Sequence, residues 1–180
     1  MTDPLVAVLR AVDLAAQNHV HQRRKGEAAE PYVNHVVVVA RLLAEATGGG
    51  DPELVIAGLL HDSIEDTETS EADIARDFGA TIAGLVAEVT DDRSLERHVR
   101  KRLQVERAAA KSARARMIKL ADKTSNLRAM VKSPPKDWSV SQKQEYLDFA
   151  HQVAAGCRGV NDQLEAWFDE AYAAGENALD

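Results

Sequence analysis

The chain has 180 residues, only 4% aromatics, 10 glycines and 5 prolines, and Cys157 as its single cysteine. That length suits one domain with a substantial core, and the wealth of Ala, Leu, Val, Glu, Arg and Lys favours helices over a sheet sandwich, so an all-α, compact single-domain helical bundle over residues 1–180 is expected. A formal charge of −7 argues against general nucleic-acid binding, one cysteine excludes an internal disulfide or a thiolate metal site, and neither a signal-like amino terminus nor an apolar run near the roughly 20 residues of a membrane span is present, so a cytoplasmic protein with no membrane partner is expected.

Residues 3–22 place Leu5, Val8, Leu9, Val12, Ala15 and Ala16 at helical spacing, which predicts a helix with one buried face. Gly26 and Pro31 then break the pattern. The intervening loop carries Arg23, Arg24 and Lys25, three adjacent cations that read either as a solvated patch or as an anion contact. A second helix is predicted over 32–47, with the apolar run V-V-V-V-A-R-L-L, His35 near its start and G-G-G at its end. Asp51 and Pro52 read as N-cap and first-turn proline of a third helix.

That helix leads into L-L-H-D-S-I-E-D-T, Leu59 to Thr67. If the stretch is helical, Glu65 lies one turn beyond His61 and Asp66 one turn beyond Asp62, so each pair shares a face. An imidazole and three carboxylates beside Leu59, Leu60 and Ile64 would cost several kcal/mol to bury unpaired. A divalent cation removes that cost; a solvated helix end avoids it.

Ser70 with Asp73 resembles a capping box for a short helix closed by Gly79, and Ala80 to about Val89 continues as another. Residues 92–110 hold Arg93, Arg97, Arg100, Lys101, Arg102 and Arg107 but few apolar anchors, as expected of a solvated helix, a flap or an anion-facing wall. From Ser112 the apolar positions Met117, Leu120, Ala121, Leu127 and Met130 predict a long helix, which Asp122 interrupts as either an exposed residue or a ligand. Pro134 and Pro135 close it. Ser139 to Gln142 caps a helix carrying Tyr146, Phe149 and Val153, Cys157 reads as a buried thiol, and a final helix from Val160 to about Tyr172 presents Leu164, Trp167 and Phe168.

One histidine, an adjacent His-Asp pair and a distant aspartate thus fall on separate predicted helices. His35, His61, Asp62 and Asp122 would supply two nitrogens and two oxygens, a set that suits Mn²⁺, Fe²⁺ or Zn²⁺. Such a cation makes water a nucleophile at neutral pH, and Glu65 and Asp66 would orient that water and handle its protons.

The H…HD…D pattern of His35, His61-Asp62 and Asp122 resembles the HD-domain metal-dependent phosphohydrolases. R-K…P-Y-x-x-H at Arg24 to His35, V-T-D-D at Val89 to Asp92, I-K-L-A-D-K-x-x-N-L-R at Ile118 to Arg128 and Q-E-Y at Gln144 to Tyr146 extend the likeness to the small alarmone hydrolases, single-domain relatives of the RelA/SpoT enzymes also found in animals. The resemblance implies removal of the 3′-diphosphate of (p)ppGpp with Mn²⁺, giving GDP or GTP and pyrophosphate. It places His35, His61, Asp62 and Asp122 on the metal, Glu65 and Asp66 in the catalytic pair, Arg24 and Lys25 facing the nucleotide, and Asn126 and Tyr146 in the base and sugar pocket. Val36 stands where larger relatives usually have proline, no synthetase or regulatory domain is expected, and Thr124 and Ser125 replace larger residues, which would widen the pocket. Two other readings share the motif: a phosphatase for another nucleotide such as NADPH, and a non-catalytic nucleotide sensor.

Overall fold

In the computed structural model, which describes residues 3–179, the chain is a layered bundle of helices around one continuous apolar core. No strand forms among the described residues; the only sheet-like contact among them is a single antiparallel bridge between Arg23 and Pro31. No helix there is long and apolar enough to cross a membrane.

The helices are α1 (Pro4–Asn18), α2 (Val33–Ala46), α3 (Pro52–Leu60), α4 (Ser63–Asp66), α5 (Glu71–Phe78), α6 (Ala80–Val89), α7 (Arg97–Arg107), α8 (Ala113–Lys132), α9 (Val140–Cys157) and α10 (Asp162–Asn177), with a 3₁₀ turn at Ala108–Ala110. Local chemistry sets several boundaries. Asp51 accepts a hydrogen bond from the Leu54 amide and Pro52 occupies the first turn of α3, while Ser70–Asp73 and Ser139–Gln142 form reciprocal capping boxes on α5 and α9; each cap satisfies amides that have no intrahelical partner.

The organising element is α8. At 20 residues it spans about 30 Å and is flanked by α2, α3, α6, α9 and α10. Because neighbours surround it, its apolar positions are not confined to one stripe, and Lys119, Asp122, Lys123, Thr124 and Ser125 are buried along with Met117, Leu120, Ala121, Leu127 and Met130. Cys157 is buried as expected.

Several predicted features shift. In α1 the buried positions are Ala11 and Ala15, while Leu5 and Leu9 are 67% and 58% exposed; the small alanines, not the leucines, meet the core. The final helix begins at Asp162 and runs to Asn177, past the expected end near Tyr172, because Asn161 caps the Leu164 amide and Phe168, Ala171 and Gly175 remain buried. The central motif is also not one helix: α3 ends at Leu60, and Asp62 at φ −99°, ψ −1° separates it from α4.

Close approach of α2 and α3 depends on Gly58. A Cβ there would lie 2.5 Å from Leu43 Cδ1, so the missing side chain lets the two histidine-bearing helices sit together.

A candidate metal centre beside a cationic cavity

His35 projects from the first turn of α2, His61 and Asp62 from the break between α3 and α4, and Asp122 from the middle of α8. Ligand atoms of His35, His61 and Asp62 lie within 4.8 Å of one another. Asp122 Oδ1 closes the group, 3.3 Å from His35 Nε2 and 3.9 Å from His61 Nε2. His61 Nε2 is 3.0 Å from Asp62 Oδ2. Two helices and the break between two others deliver these groups, so folding must precede assembly.

Their orientation is fixed from behind. His61 Nδ1 donates to the Gly58 carbonyl at 2.8 Å; since a carbonyl only accepts, Nδ1 carries a proton and Nε2 is the ring atom turned toward the carboxylates. That Nε2 is buried and makes no hydrogen bond. His35 Nδ1 is 2.9 Å from Ser125 Oγ. Tyr32 donates its hydroxyl to Asp62 Oδ2 at 2.7 Å, while Asp122 accepts from Asn126 Nδ2 at 2.6 Å and from Lys123 Nζ at 3.0 Å. An unpartnered ring nitrogen facing two carboxylates is a donor set that could hold a divalent cation, with the outer hydrogen bonds that hold ligands in place.

The electrostatics agree. Burial drives His35 toward its neutral form despite Asp122. Burial also opposes charge on His61, but Asp62 and Asp122 outweigh it and the imidazole is pushed up to about 9. Asp62 and Asp122 resist protonation: burial works against their charge, and His61 beside Asp62 and Lys123 beside Asp122 overcome it. The buried Asp122 and the partly buried Asp62 therefore hold their negative charge, the field that a cation requires.

Glu65 and Asp66 end the same motif on α4 and lie at the edge of the cluster. Burial and the negative charges of Asp91, Asp62 and Asp66 raise Glu65, and burial with Asp62 raises Asp66. Each is held by an arginine from the following segment: Arg100 NH1 to Glu65 Oε1 at 3.1 Å and Arg93 NH1 to Asp66 Oδ1 at 3.1 Å. The Asp91 amide donates to Glu65 Oε2 at 3.3 Å, and Gln22 Nε2 donates to the Asp66 carbonyl at 2.9 Å.

A cavity of about 290 Å³ opens next to these groups, and Arg24, Lys25, Asn126 and Tyr146 all line it, joined by Arg97 and Trp138. Gly26 seats its loop: a Cβ there would fall 2.2 Å from the Ser133 carbonyl oxygen. Arg24 NH2 donates to Asn126 Oδ1 at 3.0 Å, and Asn126 in turn holds Asp122, so cavity and metal cluster share a residue. Burial pushes the Tyr146 phenol up to about 12, so it stays a donor at neutral pH. Thr124 and Ser125, in contrast, do not widen the cavity; both are buried, Thr124 bonded to the Leu120 carbonyl and Ser125 to His35.

Sequence alone does not single out Tyr32, Gln22 or Trp138 as parts of the site, and it gives Ser125 to the pocket rather than to His35. Tyr32 stood inside the quoted P-Y-x-x-H, and that was its only signal.

A helical bundle whose core carries His35, His61-Asp62 and Asp122 defines an HD-domain protein. Residues 11–155 match the HD domain family, and the chain belongs to it. Among its relatives, it is 46% identical over 158 residues, 88% of each chain, to a human protein named guanosine-3′,5′-bis(diphosphate) 3′-pyrophosphohydrolase MESH1. It is 43% identical over 171 residues to the Drosophila melanogaster protein of the same name, covering 95% of this chain and 96% of that one. A solved structure described as a metazoan ortholog of SpoT that hydrolyzes ppGpp and plays a role in starvation responses superposes with a TM-score of 0.90 at 42% identity, over 96% of this chain and 97% of that one.

Proposed function

We propose that the protein is a (p)ppGpp 3′-pyrophosphohydrolase, cleaving the 3′-diphosphate to release pyrophosphate and GDP or GTP. The observation that carries this reading is the adjacency of a two-histidine, two-aspartate cluster to a cavity lined by Arg24 and Lys25, in a chain so similar over its length to relatives bearing that activity's name.

His35, His61, Asp62 and Asp122 would hold one divalent cation, proposed as Mn²⁺, whose contribution is Lewis acidity toward phosphoryl oxygen and a lowered pKa for water. Glu65 and Asp66 accept and return the protons of the attacking water; their raised basicity suits that exchange. Arg24 and Lys25 bind phosphate oxygens, Arg24 through a planar fork that matches them. Tyr146 donates a hydrogen bond in the base and sugar pocket, where Trp138 lies 5.7 Å from it. Asn126 positions Asp122 and Arg24 together.

The test is pyrophosphate release from ppGpp by metal-stripped protein with Mn²⁺ restored, beside Asp62→Ala and Glu65→Ala. Release that needs Mn²⁺ and fails in both variants is expected. Well-folded, metal-loaded wild type that releases none would overturn the reading.

A further inference from the structure

The segment after α6 is anomalous. Helix α7 carries five cations, Arg97, Arg100, Lys101, Arg102 and Arg107, against one acid, Glu106, and buries no residue. A helix with so little core commitment is held by its polar contacts. Two of those contacts lead to the candidate centre, Arg100 pairing with Glu65 at 3.1 Å and Gln104 donating to Asp91, whose amide holds Glu65, while Lys101 Nζ sits 4.8 Å from the centre of the Phe149 ring on α9.

Arg100 is the member whose chemistry is incomplete. Its NH1 serves Glu65, but its Nε is buried without a partner, a state that is unfavourable until something arrives to accept. A multi-oxygen anion matches it, because a guanidinium presents its donors as a fork that carboxylate and phosphate fill. Arg97, one turn earlier on the same face, already lines the cavity with Arg24 and Lys25. The cationic wall therefore runs from the cavity to Glu65, and Arg100 is its inner end.

Glu65 is equally constrained by its neighbours. Asp62, Asp66 and Asp91 all act on it as like charges, and an ion pair to Arg100 occupies Oε1, one of the two oxygens it could offer to a proton.

We infer that Arg100 is a diphosphate-binding residue held in reserve on Glu65: the 3′-diphosphate draws the guanidinium away, and the Glu65 carboxylate becomes free to take a proton only when substrate is present. This rests on the pyrophosphohydrolase reading for the identity of the anion. It assigns to Arg100 direct contact with the leaving diphosphate, and it makes departure of pyrophosphate the event that restores the resting pair.

The exchange has a signature that simple charge removal lacks. Glu65→Gln should tighten binding of inorganic pyrophosphate, because Arg100 no longer has to be withdrawn from a carboxylate. The gain should vanish when Arg100 is also changed. The measurement is calorimetric titration of inorganic pyrophosphate at saturating Mn²⁺ into wild type, Glu65→Gln, Arg100→Gln and the double variant. A charge-assisted hydrogen bond of about 1.5–3 kcal/mol corresponds to about tenfold or more in affinity, so Arg100→Gln is expected to weaken binding by about tenfold. Glu65→Gln is expected to strengthen it several-fold in the wild-type background and by less than about twofold beside Arg100→Gln.

Arg100→Lys, which keeps the charge without the fork, should fall between wild type and Arg100→Gln, and circular dichroism reports whether each variant is folded. Arg93→Gln serves as the control for loss of a neighbouring cation, since Arg93 holds Asp66 rather than the Glu65 carboxylate, is 57% exposed and has a screened pair. Equal gains from Glu65→Gln in both backgrounds, unchanged affinity in Arg100→Gln and Arg100→Lys, or an equal loss in Arg93→Gln would overturn the assignment. The two readings fail separately: ppGpp turnover with no effect of Arg100 on pyrophosphate binding removes only the exchange, whereas the predicted binding pattern without ppGpp turnover removes only the substrate.

Discussion

Tyr32→Phe isolates one hydrogen bond. The phenol sits between the His19 and His35 rings, at centroid distances of 5.0 and 5.4 Å, so removing the hydroxyl leaves the ring packing intact and opens no side-chain cavity. What is lost is the 2.7 Å bond to Asp62 Oδ2, the same oxygen that faces both imidazoles. Burial and the charge of Asp62 hold the Tyr32 proton far above its ordinary value, so the hydroxyl is a donor at any working pH. A neutral donor to a buried carboxylate contributes about 1.5–3 kcal/mol, and loss of an outer hydrogen bond at a metal ligand weakens cation affinity by about 10–100-fold. Competition between the metal-free variant and a chelating indicator for Mn²⁺ measures that change, with thermal melting as the control for folding. Affinity within twofold of wild type would refute the claim that Tyr32 fixes Asp62 as a ligand.

Cation binding should release protons, with a defined sign. His61 is held above its ordinary value, up to about 9, so in metal-free protein it stays protonated at pH 7 and contributes stability that is fully present below about 6.5 and lost as pH rises through about 9. Binding of Mn²⁺ at pH 7 must displace that proton, and calorimetry in buffers of different ionisation enthalpy should report about one proton released, falling toward zero near pH 10; no buffer dependence at pH 7 would contradict the assignment. Gly26→Ala drives a Cβ to 2.2 Å from a backbone oxygen and must shift the loop carrying Arg24 and Lys25, so kcat/KM should fall by about tenfold or more with Mn²⁺ affinity unchanged. Leu120→Ala, at a fully buried position of α8, should cost about 2–5 kcal/mol in urea unfolding; a loss under 1 kcal/mol would mean that α8 is not the packed centre of the bundle.

The sequence by itself determined the helical class, the caps at Asp51, Ser70 and Ser139, and a set of side chains whose chemistry suits a cation. These are local or compositional properties: an N-cap is written within four residues, and a histidine beside an aspartate in an apolar run is already a costly arrangement. The tertiary structure decided how those groups are held. Tyr32 reaches Asp62 across 30 positions, His35 reaches Ser125 across 90, and Arg24 reaches Asn126 across 102. Periodicity reports a helix's own faces and not what lies opposite, which is why Leu5 and Leu9 seemed core positions and are exposed, and why Thr124 and Ser125 seemed to shape the cavity and are buried behind it. The same limit applies to α7. Its cations were plain in the sequence, but only the packing of the bundle could aim Arg100 at Glu65, because the pairing exists only once α4 and α7 are held beside the common core.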